Sequence, residues 1–381
     1  MKLLTNGRVF DGEQVREDVD VVLEGETIRE LRPAGQALPT GAERHDLGGM
    51  LLAPGFIDLQ VNGGGGLLFN DAPSVERIRV IAESHRRHGT TGLLITLISA
   101  RREAMQAATS ATRQALEQKL PGLLGLHLEG PYLNPMRKGI HPAETLRDPE
   151  PDALELLTGL GGAGITLVTL APERVPAGFI RALAERGVHV AAGHTAADHA
   201  TLQRAIAEGL HGFTHLYNAM SPLGSREPGA VGTALADPTT WCSVIVDGHH
   251  VHPASLRIAV AAKPRGRVLL VTDAMPSVGS AQDRFPLLGE SIERRNGRLV
   301  NPDGTLAGAD LTMDRAVANA HRLLGLPLEE ALRMGSRYPA ECLGLDRRHG
   351  WIRPGYRADL VLLDATLRAR RTWIGGQSQP A

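Results

Sequence analysis

The two ends of the chain share one pattern of apolar and polar positions, and the long stretch between them follows another. Residues 1–50 hold short apolar runs broken by turn-formers: 2–5 runs into Asn6-Gly7, and 19–23 turns at Glu24-Gly25-Glu26 before Thr27-Ile28. Such dipeptides join short strands into hairpins. The C-terminal end has the same texture, with strand-like runs at 358–363 and 371–374 and Gly375-Gly376 as a stop. Neither end has enough apolar surface to fold alone. Residues 1–50 and 350–381 are therefore expected to pair as one small β-sandwich.

Residues 51–349 read differently. Apolar runs at 56–61, 93–97, 123–128, 165–170, 188–192, 212–216, 242–246 and 268–272 alternate with amphipathic, helix-length segments such as 75–87 and 197–208. Strand–helix alternation argues a parallel sheet. Eight such units fit a TIM-like (β/α)₈ barrel, whose usual length is ~250 residues plus insertions. A doubly wound open sheet is the alternative, but no GxGxxG turn opens a helix here.

Composition narrows the function. Apolar residues at 42% and charged residues at 22% match a soluble globular chain and exclude disorder. Lys+Arg 41 against Asp+Glu 42 leaves a net charge of −1, which offers no footprint for nucleic acid or an anionic membrane. Cys242 and Cys342 are the only thiols, which excludes a disulfide scaffold and a cysteine zinc ribbon. The first residues lack the apolar core of a signal peptide, and no apolar run approaches ~18 residues. A soluble, cytoplasmic protein is expected. The 15 histidines are ample for a metal site.

In a barrel of this kind chemistry gathers where strands end, because the βα loops converge there. The third run ends His127-Leu128-Glu129-Gly130-Pro131, the fifth Gly193-His194-Thr195, the sixth contains Thr214-His215-Leu216, and the eighth ends Thr272-Asp273-Ala274. Two histidines and a glutamate make a common catalytic zinc set, in which the pKa of a water ligand falls to about 7. Asp273 is a further carboxylate, placed to take that proton. A single strand-end His or Asp is ordinarily a hydrogen-bonded loop anchor. Four at the same end of four strands point instead to a metal-dependent hydrolytic site.

The remaining motifs carry less. His85 and His88 lie one helical turn apart among Arg and Glu, which suggests a solvated face. His249-His250-Val251-His252 falls on the active-face loops, so at least one imidazole is expected to face substrate. Asn62-Gly63-Gly64-Gly65-Gly66 lacks the Lys-Ser/Thr of a P-loop and reads as close backbone approach beside a ligand or as a flexible loop. Arg226 is either a surface ion pair or an anion clamp.

Pro54-Gly55-Phe56-Ile57-Asp58 resembles the entry to the first strand of the amidohydrolase superfamily, in which a metal barrel carries a β-sandwich built from both termini. More narrowly, His127-Leu128-Glu129-Gly130-Pro131-Tyr132, Ala192-Gly193-His194-Thr195, Thr214-His215-Leu216-Tyr217-Asn218-Ala219-Met220, Arg226-Glu227-Pro228-Gly229, Asp247-Gly248-His249-His250-Val251, Val271-Thr272-Asp273-Ala274 and Gly304-Thr305-Leu306-Ala307-Gly308 resemble the N-acetylglucosamine-6-phosphate deacetylase family. The likeness spans nearly the whole chain in order. It implies that Glu129, His194 and His215 hold one divalent metal, either zinc or Fe(II), Co(II) or Mn(II). It implies that Asp273 deprotonates water and returns the proton to the departing amine, and that His141 polarises the acetyl carbonyl. Ile140, Asn218, Ala219, Arg226, Asp247, His250, Leu306, Ala307 and Gly308 would line a sugar-phosphate pocket, with Arg226 and His250 on the phosphate.

The family likeness also implies a homodimer with active sites near the interface, and a place in amino-sugar salvage. The expected reaction is removal of acetate from N-acetyl-D-glucosamine 6-phosphate. The same chemistry on the galacto epimer, or on another amide, is the alternative. One departure is visible. Many amidohydrolases carry His-x-His at the end of the first strand, where this chain has Gln60-Val61-Asn62. Amides are poor zinc ligands, so a single metal is expected.

Overall fold

The computed structural model describes residues 1–36, 41–287 and 289–381. Eight parallel strands form one sheet, hydrogen-bonded in chain order: β1 (Phe56–Val61), β2 (Thr90–Ile98), β3 (Leu123–Glu129), β4 (Ile165–Leu170), β5 (His189–Ala192), β6 (Gly212–Phe213), β7 (Trp241–Val244) and β8 (Val268–Leu270). All eight apolar runs become barrel strands. β1 and β2 are buried at every position, because helices cover one face and the barrel interior the other. That is why these runs are continuously apolar and do not alternate. Close packing leaves some positions no room for a side chain. A Cβ on Gly125 of β3 would sit 1.9 Å from the Ile165 carbonyl oxygen.

The sheet closes where β1 meets the chain beyond β8. Val61 bridges Ala274 in parallel, and the amides of Asn62 and Gly63 donate to the Ala274 carbonyl at 3.0 and 3.1 Å. Below this seam the buried Asp58 accepts hydrogen bonds from the Gln60 amide, the Thr272 amide and the Thr272 hydroxyl. Burial, opposed by these hydrogen bonds, raises the Asp58 pKa to about 7. A polar belt crosses the interior one layer beneath the strand ends. His127 lies between the hydroxyls of Thr96 and Thr169 at 3.1 and 2.8 Å, and Thr169 meets Thr214 at 2.7 Å. Burial lowers the His127 pKa to about 4, so this imidazole is neutral.

Both termini build the sandwich. One sheet runs Thr27–Pro33, Val19–Glu24, Lys2–Thr5, Glu43–Asp46; the other runs Gln377–Pro380, Ala369–Ile374, Leu360–Leu363, Leu51–Pro54, Arg8–Phe10, Val15–Arg16. Leu51–Pro54 pairs antiparallel with Leu360–Leu363, which ties the two ends of the chain together. Leu4, Val21, Leu23 and Ile28 from the first sheet pack on Leu52, Leu360, Leu362 and Trp373 from the second.

Three expectations are corrected. Asn6-Gly7 does not close a hairpin: the strands on either side of it lie in different sheets, so the turn carries the chain across the sandwich. Gly375-Gly376 turns the chain into one more strand, Gln377–Pro380, and does not stop it. His85 is fully buried, not solvated, with Nε2 2.9 Å from the Gly63 carbonyl. The glycine run explains this, since Cβ atoms on Gly64 and Gly65 would press on His85 and Ser84 at 3.2 and 2.6 Å. The run is a close-approach seat, not a loose loop. One element had no counterpart in the sequence reading. An antiparallel sheet of Arg284–Leu287, Glu290–Arg295, Arg298–Val300 and Leu306–Ala309 follows β8 and joins the barrel through an Ala274–Ala309 bridge.

Trp373 is fully buried in the core that joins the two ends of the chain. Trp373→Ala is expected to cost about 3–5 kcal/mol, seen as a lower denaturant midpoint. A loss below about 1 kcal/mol would mean that the sandwich core does not hold the termini together.

Candidate active site

The ends of β3, β5, β6 and β8 converge on one buried cluster. Glu129 Oε1 lies 3.0 Å from His215 Nε2 and 3.3 Å from His194 Nε2, and the two Nε2 atoms are 3.1 Å apart. Zinc–ligand distances of about 2.0–2.2 Å in a tetrahedral site imply ligand–ligand edges a little above 3 Å. The triangle therefore has the right size for one small divalent cation. The chemistry of the donors agrees. His194 Nδ1 donates to the Arg137 carbonyl at 2.7 Å, which leaves the Nε2 lone pair facing inward. Two imidazole nitrogens and a carboxylate oxygen this close need a proton or a cation among them. His141 also belongs to the cluster, since Glu129, His141 and His194 offer ligand atoms within 4.8 Å of one another. Its Nε2, however, stands back at 3.7 Å from Glu129 Oε2.

His141 is set up for a different task. The Ser99 amide donates to His141 Nδ1 at 3.3 Å, and the Ser99 hydroxyl lies 2.8 Å from the same nitrogen. Nδ1 is thus the acceptor and Nε2 carries the hydrogen. Burial, reinforced by His194, holds the His141 pKa well below the ordinary histidine value. The result is a neutral imidazole presenting an N–H to the cavity. Burial works against the Glu129 carboxylate, yet the adjoining His194 and His215 imidazoles hold its pKa well below the usual carboxylate value.

Asp273 is the opposite case. Burial first, and the Glu129 charge second, push its pKa up to about 6. Its Oδ1 accepts from Gln60 Nε2 at 3.1 Å and from Asn62 Nδ2 at 2.7 Å. Gln60 Nε2 also donates to Glu129 Oε1 at 3.1 Å. The amides of Gln60 and Asn62 thus act as donors, linking the two carboxylates. Asp273 Oδ2 has no protein hydrogen bond among the described residues and is free for a reacting proton.

Unusual backbone aims these side chains. His194, His215 and Asp273 have φ of 48°, 35° and 51°, and Tyr217 and Ala219 share the left-handed region. Such residues cost about 1–3 kcal/mol each and persist only where the surroundings fix them. Here Glu173 fixes the His194 turn by accepting from Thr195 Oγ1 at 2.6 Å, the Ala196 amide at 2.7 Å and Asn134 Nδ2 at 2.9 Å. Ser243 of β7 does the same for His215, whose amide donates to its hydroxyl at 2.8 Å.

The cluster floors a cavity of about 250 Å³ whose wall includes Ile140, His141, Asn218, Ala219, His250, Leu306 and Gly308. Ala307 is buried behind this wall, among the apolar side chains of the inserted sheet. Asp247 also stands behind it and holds His250 through a 2.6 Å contact to Nδ1. His249 turns away and accepts from Arg298 at 3.2 Å, so of the two neighbours His250 faces the cavity. Arg226 is exposed on its loop and is not part of the wall. Sequence reading passed over Ile98, Gly139 and Thr305 in the wall, and Ser99 and Glu173 behind it. Their types are common, and only the fold brings them here.

Residues 51–379 match the amidohydrolase family, and residues 1–52 match the NagA composite domain. The chain belongs to the amidohydrolase family. Members of that family are metal-dependent, in keeping with the Glu/His/His cluster. The chain is 35% identical to N-acetylglucosamine-6-phosphate deacetylase of Haemophilus influenzae, covering 98% of each sequence. It is 43% identical to N-acetylgalactosamine-6-phosphate deacetylase of Shewanella sp. (strain ANA-3), covering 86% of this amidohydrolase and 82% of that protein. The crystal structure of N-acetylglucosamine-6-phosphate deacetylase from Pasteurella multocida superposes with a TM-score of 0.96 at 35% identity over 100% of both chains. No helix among the described residues is long and apolar enough to cross a membrane.

Gln60 supports Glu129 from behind the proposed ligand sphere, and losing such a partner typically weakens metal affinity about 10–100-fold. Gln60→Leu is expected to do so with folding intact, measured by competition against a chromophoric chelator. Unchanged affinity would mean that the amide does not orient Glu129.

Proposed function

We propose that this amidohydrolase hydrolyses the acetamide of N-acetyl-D-glucosamine 6-phosphate to D-glucosamine 6-phosphate and acetate, with one divalent metal held by Glu129, His194 and His215. The observation that carries this reading is one cavity holding those three side chains together with a neutral imidazole donor and a half-buried carboxylate of raised pKa. Two imidazoles and a carboxylate suit zinc best among the common divalent ions. Such a cation supplies Lewis-acid activation of water and of the amide carbonyl.

The protein's own groups do the rest. His141 donates its Nε2 hydrogen to the carbonyl oxygen, where negative charge develops during attack. Asp273 Oδ2 accepts the proton of the attacking water, and Gln60 and Asn62 keep Oδ1 occupied so that Oδ2 faces the substrate. Once protonated, Asp273 passes that proton to the amine nitrogen as the C–N bond breaks, giving acetate and the free amine. His250, braced by Asp247, faces the sugar phosphate, and Asn218, Ala219 and the 306–308 segment border the sugar. Arg226 stands outside its own cavity wall, and Leu223 on the same loop is 59% exposed. In a homodimer with active sites near the interface, this loop would carry its guanidinium to the partner's cavity mouth. A phosphorylated substrate does not cross membranes freely, which supports a cytoplasmic reaction in amino-sugar salvage.

The galacto epimer is a second reading, favoured by the Shewanella relative at 43% identity. Acetate release from both epimers and from unphosphorylated N-acetylglucosamine is expected to be fastest with the gluco phosphate. Preference for the galacto phosphate would move the assignment to that epimer, and no release from any of the three would sink the deacetylase reading. Asp273→Asn is expected to lower kcat by about 10²–10⁴-fold, with metal content retained.

The pH profile is a second check. Asp273 must be ionised to accept a proton, so activity is lost as pH falls through its pKa. A bound cation lowers that pKa from about 6, so the acid limb of kcat/KM is expected below about pH 6. An acid limb on the alkaline side of 7 would assign the base to another group.

A further inference from the structure

The opposite face of the barrel holds a second cavity, of about 580 Å³, lined by both apolar and polar side chains. Its walls come from the chain just before or at the start of four consecutive strands. His189 begins β5, His211 precedes β6, Thr240 precedes β7 and Arg267 precedes β8. The rings of His189 and His211 stack at 5.9 Å between centroids, 12° from parallel. No carboxylate lines the cavity. Among the described residues none of the side chains of His189, His211 and Arg267 has a hydrogen bond or ion pair. Asp237, near this face, is occupied by the amides of Thr239 and Thr240 and the Thr239 hydroxyl, at 2.8–2.9 Å.

A half-buried guanidinium with no counter-ion beside two imidazoles is an unbalanced arrangement. Nearby helix ends do not balance it. The carbonyls of Ala184, Ala205 and Ile206 already accept from the amides of Gly187, Leu210 and Gly209 at 2.9–3.0 Å. We infer that this cavity is a binding site for a phosphate dianion, taken by the Arg267 fork and the ring N–H groups of His189 and His211. A guanidinium fork matches phosphate geometry, and neutral imidazoles each provide one donor. Burial, and then the neighbouring His211, hold His189 near a pKa of about 4, so it offers a neutral imidazole with one N–H donor and Arg267 carries the charge that meets the anion. The site lies at the strand starts, remote from the catalytic strand ends, so its occupant is an effector or a stabilising ion and not a substrate.

The test follows the ring proton signals of His189 and His211 in the full-length protein, assigned through His189→Gln and His211→Gln. Inorganic phosphate and glucosamine 6-phosphate are added in separate titrations. Saturable shifts of both rings, with affinity at least about tenfold weaker in Arg267→Met, are expected. Arg267→Lys should restore part of the affinity, since it keeps the charge but not the fork. Saturation by inorganic phosphate assigns the site to the free ion. Saturation by the sugar phosphate alone assigns it to phosphate monoesters. Deacetylase kcat/KM without added phosphate is expected to be unchanged in Arg267→Met, which separates this result from the catalytic assignment. Shifts that do not saturate with either probe at millimolar concentration, or that are the same in Arg267→Met, would overturn the inference.

Discussion

The seam between β1 and the chain beyond β8 is the constraint on which the rest depends. A barrel works only if its first and last strands meet, and here they meet through Val61 and Ala274 with Asp58 and Thr272 beneath. The same register sets Gln60 and Asn62 opposite Asp273. Closure and chemistry therefore share hydrogen bonds, and β1 cannot slip without releasing the proposed base. The glycine seat at 63–66 locks the next few residues against His85 and Ser84, so the seam is held from both ends.

The electrostatics of the site follow from how each group is solvated by protein. Glu129 and His141 are buried and Asp273 is half-buried, yet their environments push them in different directions. The adjoining imidazoles keep Glu129 ionised, while burial and its neighbour's charge raise Asp273 and burial keeps His141 neutral. Pairs of titratable groups whose pKa values are driven apart mark acid and base assignments. The amides of Gln60 and Asn62 matter here because they are neutral. They position two carboxylates without adding a charge that would suppress the raised pKa of one of them.

Much of this was legible in the chain itself. Barrel strands buried on both sides must be continuously apolar, so eight such runs announce themselves, and the polar residue that ends each run stands out against them. The Glu129, His194 and His215 cluster was readable for that reason. What escaped was whatever depends on partners distant in sequence. Asn6-Gly7 has a hairpin's local signature, but Val19–Glu24, and not the next residues, provides the partner of Lys2–Thr5. His85 sits among charged neighbours on its helix, and only the glycine seat shows which face is buried. The inserted sheet at 284–309 alternates weakly because much of it is exposed, and short exposed strands carry little pattern. Gln60 was readable as a poor ligand; its use as a donor required the register of β1 against β3 and β8.

The left-handed backbone at His194, His215 and Asp273 completes the picture. A strand that simply continued would send the next side chains alternately inward and outward, and its ligand atoms would sit a full residue spacing apart. Turning the backbone two or three residues beyond the ends of β5, β6 and β8 brings side chains from separated strands onto one point. That geometry has a conformational cost, which Glu173, Ser243 and the Gln60–Asn62 pair offset by fixing each turn. The starts of the same strands bear no such strain among His189, His211 and Arg267, none of which has positive φ. The barrel thus uses left-handed backbone to aim His194, His215 and Asp273 where charge must be moved, and leaves His189, His211 and Arg267 on the other face in ordinary backbone with unpaired donors.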